Sequence, residues 1–414
     1  MSIIKDISLA PSGEMKINWV ERNMPVLRGI GRRFADEKPF KGLKVALSVH
    51  LEAKTAYLCR VMELGGAEMY VTGSNPLSTQ DDVAAALAAG GMNVFAEYGC
   101  TEQQYEDCLR EVLKVGPNII IDDGGDLVHL MHEEFADLIP GVIGGCEETT
   151  TGINRLRIMS AAGALRFPMV MVNDADCKHM FDNRYGTGQS VWDGICRTTN
   201  LIIAGKYVVI SGYGWCGKGV SLRAKGLGAK VIVTETDPIR ALEAVMDGYE
   251  VMPMAEAAKI GDIFCTVTGG RDIITAEHFT LMKDGAILSN AGHFNVEVDM
   301  EALEKMAVKK YEARHNIQGY VMPDGKTLFT IAEGRLVNLA AGDGHPAEIM
   351  DMSFAIQALS AEYMAKNRDK VKVGVNFVPQ EIDRNVAMRK LAAWGISIDS
   401  LSPEQERYIN SWNV

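Results

Sequence analysis

The chain has 414 residues, 47% apolar and 23% charged, with 42 basic against 54 acidic side chains and a formal net charge of −12. That length exceeds one hydrophobic core and asks for two or three domains, and the acidic balance excludes the basic patches that nucleic acids and anionic membranes need. The opening MSIIKDISLAPSG holds no signal-peptide core, no stretch is long enough to span a membrane, and eight cysteines without a C-x-x-C pair read as reduced thiols of a cytoplasmic protein with no metal site. The first forty residues have amphipathic helical spacing anchored by Trp19, Met24 and Leu27. A strand over 44–49 then ends at His50, a helix over 55–64 stops at Gly65-Gly66, and strands over 68–71, 94–97 and 118–121 flank a helix over 102–113.

This alternation predicts a doubly wound α/β unit, whose ligands meet the carboxyl ends of the strands. Polar residues gather there: His50, Ser78-Thr79-Gln80-Asp81, Asp122-Asp123-Gly124-Gly125-Asp126, Glu147-Glu148-Thr149-Thr150-Thr151, Asn173-Asp174-Ala175-Asp176-Cys177-Lys178 and Asp182-Asn183.

A second such unit is centred on VVISGYGWCGKG at 208–219. Gly212, Gly214 and Gly217 fit G-x-G-x-x-G at the end of a strand, and a helix-like segment runs on to Gly226–Gly228. The next strand, 231–234, closes on Glu235, about twenty residues past the glycines, where an acid takes the ribose hydroxyls of a dinucleotide. Gly212 allows the turn, Gly214 lets backbone approach a pyrophosphate, Gly217 brings helix against strand, and the helix N-terminus offers free N–H groups. A carboxylate at Glu235, with no Arg before Arg240, favours NAD over NADP. Strands over 263–266 and 286–289 and a helix over 350–364 follow, and a short mixed segment from Lys370 ends the chain. The expected fold is two doubly wound α/β domains with a short C-terminal segment, the active site lying in the cleft between them.

Longer motifs carry a resemblance. DDGGD at 122–126, EETTTG at 147–152, VND at 172–174, FDN at 181–183, GYG at 212–214, GHF at 292–294, AEGRLVNL at 332–339 and GHP at 344–346 closely resemble the S-adenosylhomocysteine hydrolase family over nearly the whole chain. The resemblance implies a substrate domain at 1–182 and 347–377, an NAD domain at 183–346, a C-terminal segment at 378–414, hinges near 183–190 and 344–350, and a cytoplasmic homotetramer of the methyl cycle and one-carbon metabolism. It implies reversible hydrolysis of a nucleoside thioether by 3′-oxidation, elimination of homocysteine, water addition and reduction, with NAD retained throughout.

Residue by residue, the resemblance makes Lys178 the base at the 3′-hydroxyl and Asp182 the holder of the 2′- and 3′-hydroxyls, with Glu148 and Asn173 orienting the pair. It makes Asp123 and His50 the groups acting at C4′ and C5′, without deciding which takes the C4′ proton, and sets His293 and His345 in the substrate pocket. Thr149, Thr150, Thr151, Asn183, Glu235, Asn290 and Asn338 join the glycines as NAD contacts. His129, His132, His179, His278 and His315 match nothing and read as surface residues.

Three departures stand out. Thr187 occupies a position where many members have Cys. The chain closes at Asn410-Ser411-Trp412-Asn413-Val414 without the Lys- and Tyr-bearing tail that reaches a neighbouring subunit's cofactor, which leaves intersubunit closure of the NAD site open. After His50, where most members read H-M-T-x-E-T, this chain reads Leu51-Glu52-Ala53-Lys54-Thr55. Lys has donors and no acceptor, so it suits a C6 carbonyl, and Glu52 suits N1–H. Glu52, Lys54 and Thr55 are therefore substrate-binding candidates for a hypoxanthine base; the alternative is that Lys54 merely pairs with Glu52. Two other classes are weighed: a dehydrogenase that releases NADH, which leaves EETTTG and FDN unexplained, and a silent NAD-binding relative, which the set Asp123, Glu148, Lys178 and Asp182 argues against.

Overall fold

Runs of aliphatic residues buried on both faces, such as Val45-Ala46-Leu47 and Ile119-Ile120-Ile121, belong in parallel sheets covered by helices. The computed structural model, which describes residues 2–413, has two such sheets. The first comprises β1 (Lys44–Ser48), β2 (Glu68–Thr72), β3 (Asn93–Phe95), β4 (Ile119–Asp122), β5 (Gly144–Glu147), β6 (Pro168–Met171) and β15 (Gly374–Phe377), in the order β15-β6-β5-β4-β1-β2-β3 and parallel throughout. The second comprises β7 (Tyr207–Ser211), β8 (Lys230–Thr234), β9 (Glu250–Val251), β10 (Ile263–Thr266), β11 (Ile287–Asn290), β12 (Lys309–Arg314), β13 (Ile317–Val321) and β14 (Thr327–Ile331). Its order is β12-β13-β14-β11-β10-β7-β8-β9, with β13 antiparallel to both neighbours and the other pairings parallel.

Each sheet is therefore doubly wound, with apolar clusters on both faces. Strand order reverses between β1 and β4 in the first and between β7 and β10 in the second. Those reversals are the positions where ligands bind in open α/β sheets, and His50 and Asp123 lie at one, Gly212 and Thr268 at the other.

The helix Ala347–Lys366 returns the chain to the first sheet and is buried along most of its length. Asp351 on this helix accepts from the N–H groups of Val26 and Leu27 at 3.2 and 2.8 Å and pairs with Lys390 at 2.8 Å, so one buried carboxylate caps the helix Pro25–Glu37 and ties in the helix Gln380–Ala393.

Three expectations need correction. Trp19 is 68% exposed, whereas Met24 and Leu27 are core residues; a helix of this length buries only one face, and Trp19 lies off it. The helix after His50 begins at Ala53, because the Glu52 carboxylate caps it. His132 stacks on Phe167 with ring centroids 5.0 Å apart, and His278 closes a capping box with Thr275, so neither is a free surface residue. The end of the chain is mixed as expected, with the strand Gly374–Phe377 and helices over Gln380–Ala393 and Pro403–Ile409.

Candidate active site

The carboxyl ends of both sheets border one cavity of about 1080 Å³. On the first sheet's side it is lined by His50, Glu52, Lys54, Thr55, Asp123, Glu148, Thr149, Thr150, Thr151, Asn173, Lys178, Asp182 and Asn183. On the other side it is lined by Gly212, Gly214, Glu235, His293, Asn338 and His345. Gly217 and Asn290 are not among the lining residues. Gly217 packs behind the loop, where a Cβ would lie 1.9 Å from the Gly212 carbonyl oxygen. Asn290 is buried: its amide N–H₂ group donates to the carbonyls of Gly292, Phe294 and Gly334, and its Oδ1 accepts from Thr266 and Gly292 N–H. It shapes the loop that carries His293.

After β6 the chain makes one helical turn at Asp176–Lys178 and then a π-helical stretch, His179–Gly186. This wide turn, of a kind frequent at functional sites, brings residues four and five apart onto one side. Lys178 Nζ accordingly lies 3.1 Å from Asp182 and donates to Asn183 Oδ1 at 2.9 Å. It also reaches Asn173 Oδ1 at 3.3 Å and Glu148 at 3.4 Å.

All of these groups are buried. Burial disfavours the Lys178 ammonium, but Asp182 and Glu148 outweigh it and hold the group above the usual lysine range. Burial also pushes the Glu148 carboxyl up, to about 7 despite Lys178. It works the same way on Asp182, where Lys178, His345 and Ser353 prevail and keep that carboxyl well below the usual range. The cluster is one cation between two carboxylates of unequal proton affinity, which suits proton transfer.

Well separated in sequence but adjacent in space, the loops after β1 and β4 bring His50 Nε2 to 3.5 Å from Asp123. Ser78 Oγ lies 2.7 Å from His50 Nδ1, and Ser74 Oγ donates to Asp123 at 3.1 Å. Burial pushes the His50 imidazole down to about 4, against the pull of Asp123. His293 enters from the second sheet at 3.9 Å from Asp123, over Gly124, whose φ of +115° and missing Cβ (which would sit 2.4 Å from His293 Nε2) make room for the ring. One ligand atom from each of His50, Asp123 and His293 lies within 4.8 Å of the others.

Two further buried carboxylates hold these loops from below. Asp122 accepts from the N–H groups of Asp123 and Val128, and Glu147 from those of Gly124 and Thr149. Burial pushes Asp122 up to about 8 and Glu147 well above the carboxylate range.

Glu52 and Lys54 form a buried ion pair at 2.6 Å. The Glu52 carboxylate also accepts from Lys54 N–H and Thr55 N–H, and Lys54 Nζ donates to the Asp343 carbonyl at 2.8 Å. Leu339, Met350 and Phe354 add apolar surface to the cavity.

On the cofactor side, Gly212 has φ of +102°, and a Cβ on Gly214 would meet only Arg240, at 3.8 Å, so the backbone there stands open to the cavity. The helix Trp215–Gly226 starts at this point. Glu235 accepts from the N–H groups of Tyr213, Thr236 and Asp237 at 2.7, 2.7 and 3.0 Å. Burial raises its proton affinity, but these donors outweigh burial and lower it. Asn338 Oδ1 is buried with no partner among the described residues. An open glycine turn, an acid at the end of β8 and an orphaned amide oxygen fit a dinucleotide. Thr149 caps the helix Thr150–Ala161 through Thr151 N–H, and Thr187 donates to Cys216 Sγ at 3.6 Å.

Sequence reasoning missed Ser353 and Gln357, which reach the Lys178 cluster from the helix Ala347–Lys366, Asp343, whose carbonyl accepts from Lys54, and Thr268 and Asp272 on the cavity wall. Asp343 and Thr268 adjoin motifs that were visible, but nothing in the helical spacing of 347–366 singles out Ser353 or Gln357.

Known proteins resemble this chain over nearly its whole length. Residues 2–140 match the family model described as S-adenosyl-L-homocysteine hydrolase, and residues 183–344 match the model described as S-adenosyl-L-homocysteine hydrolase, NAD binding domain. The adenosylhomocysteinase of Thermococcus kodakarensis is 58% identical over 409 residues, covering 99% of this chain and 97% of its own. The S-inosyl-L-homocysteine hydrolase of Methanosarcina acetivorans is 58% identical over 405 residues, 98% of each chain. That of Methanococcus maripaludis is 57% identical over 412 residues, covering 100% of this chain and 99% of its own.

Proposed function

The chain belongs to the S-adenosyl-L-homocysteine hydrolase family, and from that premise we propose which purine it takes and how its residues divide the work. It is an NAD-dependent enzyme that reversibly hydrolyses S-adenosyl-L-homocysteine or its deaminated analogue, S-inosyl-L-homocysteine, to nucleoside and L-homocysteine. The proposal is that the hypoxanthine compound is accepted, with the adenine compound its competitor.

The buried Glu52–Lys54 pair on the cavity wall carries this reading. Because the pair is shielded from water and the Glu52 carboxylate is fixed by two backbone donors, it presents one acceptor and one donor side by side. Hypoxanthine offers N1–H to the first and a C6 carbonyl to the second. Adenine can use the same two groups only with the contacts exchanged, its amino group on Glu52 and its N1 on Lys54.

In the proposed division of labour, Lys178 takes the 3′-hydroxyl proton, Asp182 holds the 2′- and 3′-hydroxyls, and Glu148 and Asn173 orient Lys178. When bound, NAD supplies reversible hydride acceptance at C3′. A carbonyl at C3′ acidifies the C4′ proton, and the His50–Asp123 pair serves that proton and the sulfur leaving C5′. Neutral His50 can act as acid or base in turn, and water then adds at C5′. His293 and His345 border the nucleoside. Gly212 and Gly214, Glu235, Thr149 to Thr151, Asn183 and Asn338 would hold NAD, with Gly217 and Asn290 acting behind the wall.

The proposed domains are 1–182 with 347–377, 183–346, and 378–414. Exposed Trp394, Ile398, Tyr408, Ile409 and Trp412 in the last segment support self-association as a homotetramer, and eight free cysteines support a cytoplasmic location.

The test is kcat/KM for both thioethers with the wild type and Lys54→Met. The expected result is efficient turnover of the inosyl compound and a selective loss of it in the variant, with a ceiling of about 10⁴-fold for a site built around one hydrogen-bonding edge. A clear wild-type preference for the adenine compound, with both substrates hurt equally by Lys54→Met, overturns the assignment.

A further inference from the structure

One helix holds both carboxylates beside Lys178, Asp182 by the oxygen that Lys178 also contacts and Glu148 by its second oxygen. Ser353 Oγ–H donates to Asp182 Oδ2 at 2.7 Å, and Gln357 Nε2–H donates to Glu148 Oε2 at 2.5 Å. Ser353 and Gln357 are one turn apart on the helix Ala347–Lys366, and both are fully buried. Gln357 Oε1 is buried with no partner among the described residues, so the amide is oriented by Glu148 alone. This helix starts directly after His345, which contacts the other oxygen of Asp182.

We infer that Ser353 and Gln357 are positioning residues for the reaction at the 3′-hydroxyl: they keep Asp182 and Glu148 turned toward Lys178, with Glu148 placed to receive the proton that Lys178 sheds before it takes the one from the 3′-hydroxyl. The inference rests on the proposed role of Lys178. The proton balance closes within the cluster: the Lys178 ammonium loses one proton to the Glu148 carboxylate, and the free amine then takes the one released by the substrate oxygen.

The charged groups facing Glu148 are Lys178 and Asp182 from the turn after β6 and Asp123 from the loop after β4. His345 faces Asp182, and the helix Ala347–Lys366 adds only neutral donors to the pair. Burial sets Glu148 at about 7, with the Gln357 bond among the contributions that lower it. Removing that donor therefore raises the value further, so the carboxylate is lost at a higher pH as pH falls.

The experiment compares Gln357→Met, Ser353→Ala and Ser353→Thr with Ser360→Ala, a control on the same buried helix whose hydroxyl has no partner. Expected for Gln357→Met is a fall in kcat of about 10–100-fold, the worth of one hydrogen bond to a charged group, with KM little changed and the acid limb of the kcat profile moved up by about one pH unit. The infrared C=O band of protonated Glu148, assigned by its absence in Glu148→Gln, should titrate upward in parallel. Ser353→Ala should lose activity and Ser353→Thr should regain it, while Ser360→Ala behaves as wild type. Unmoved profiles and an unmoved band in folded Gln357→Met overturn the inference, as does equal damage from Ser360→Ala. If Lys178→Ala itself keeps full turnover, the functional reading fails first; if it is inactive while Gln357→Met and Ser353→Ala are unaffected, the inference alone fails.

Discussion

The two sheets turn the same kind of edge toward one cavity and furnish it in opposite ways. Beyond the first, the loops carry titratable side chains: His50, Asp123, Glu148, Lys178 and Asp182. Beyond the second, they carry glycines and open backbone, with Gly212 and Gly214 at the start of a helix and the acid Glu235 at the end of β8. The difference matches the proposed division of labour between the edges. Moving protons requires side chains whose affinities burial and neighbours can tune, whereas holding a diphosphate requires N–H groups that approach closely, which a Cβ would prevent. Similar folds thus support two kinds of site, and substitutions should separate them: chemistry should fail on one side and affinity on the other.

The largest effect should come from Lys178→Ala. Loss of a general base costs about 10²–10⁴-fold, so turnover should collapse while NAD content, measured after denaturing release, stays at the wild-type level. Mixing the variant with substrate should give little absorbance from bound NADH; a normal build-up would mean that Lys178 is not the base and that the first edge is not where the chemistry starts.

Glu235→Ala should be the converse. Each lost charged hydrogen bond is worth about 1.5–3 kcal/mol, so titration of apo-protein should show NAD binding weakened by roughly 10–100-fold, with kcat recovered at saturating cofactor. Because Glu235 also holds Tyr213 N–H, part of that loss should reflect a loosened glycine turn. Unchanged affinity would remove Glu235 from the cofactor site.

The smallest effect concerns pH. His50 is pushed down to about 4 in the folded protein, whereas an unfolded chain protonates it near its ordinary value of about 6.5. Between those values the unfolded state binds more protons, so the stability tied to neutral His50 is present above about 6.5 and is lost as pH falls toward 4. Urea unfolding at pH 5 and pH 7.5 should show a smaller drop for His50→Gln than for the wild type. Equal drops would assign the acid sensitivity to other buried groups.

Alternating apolar and polar segments were enough to read two doubly wound units from the chain, because strands buried on both faces have a composition of their own. The glycine turn was legible for a similar reason, since close backbone approach tolerates few residue types. Element ends were less so: the helix after His50 starts two residues earlier than its apolar spacing indicates, because the capping carboxylate of Glu52, and not hydrophobic period, decides it.

By itself, the sequence determined the fold class, the cofactor unit and the polar residue types offered at the strand ends, all of which depend on local composition and period. Only the tertiary structure decided which of those residues meet. The π-helical stretch that turns Asp182 and Asn183 onto Lys178, the burial that makes Glu52 and Lys54 a shielded pair, and the reach of Ser353 and Gln357 across more than 170 residues to Asp182 and Glu148 have no period to betray them. Proton affinities belong to the same class: a carboxyl near 7 at Glu148 and an imidazole near 4 at His50 arise from desolvation and from charges brought close by folding, and a side chain's own identity carries neither.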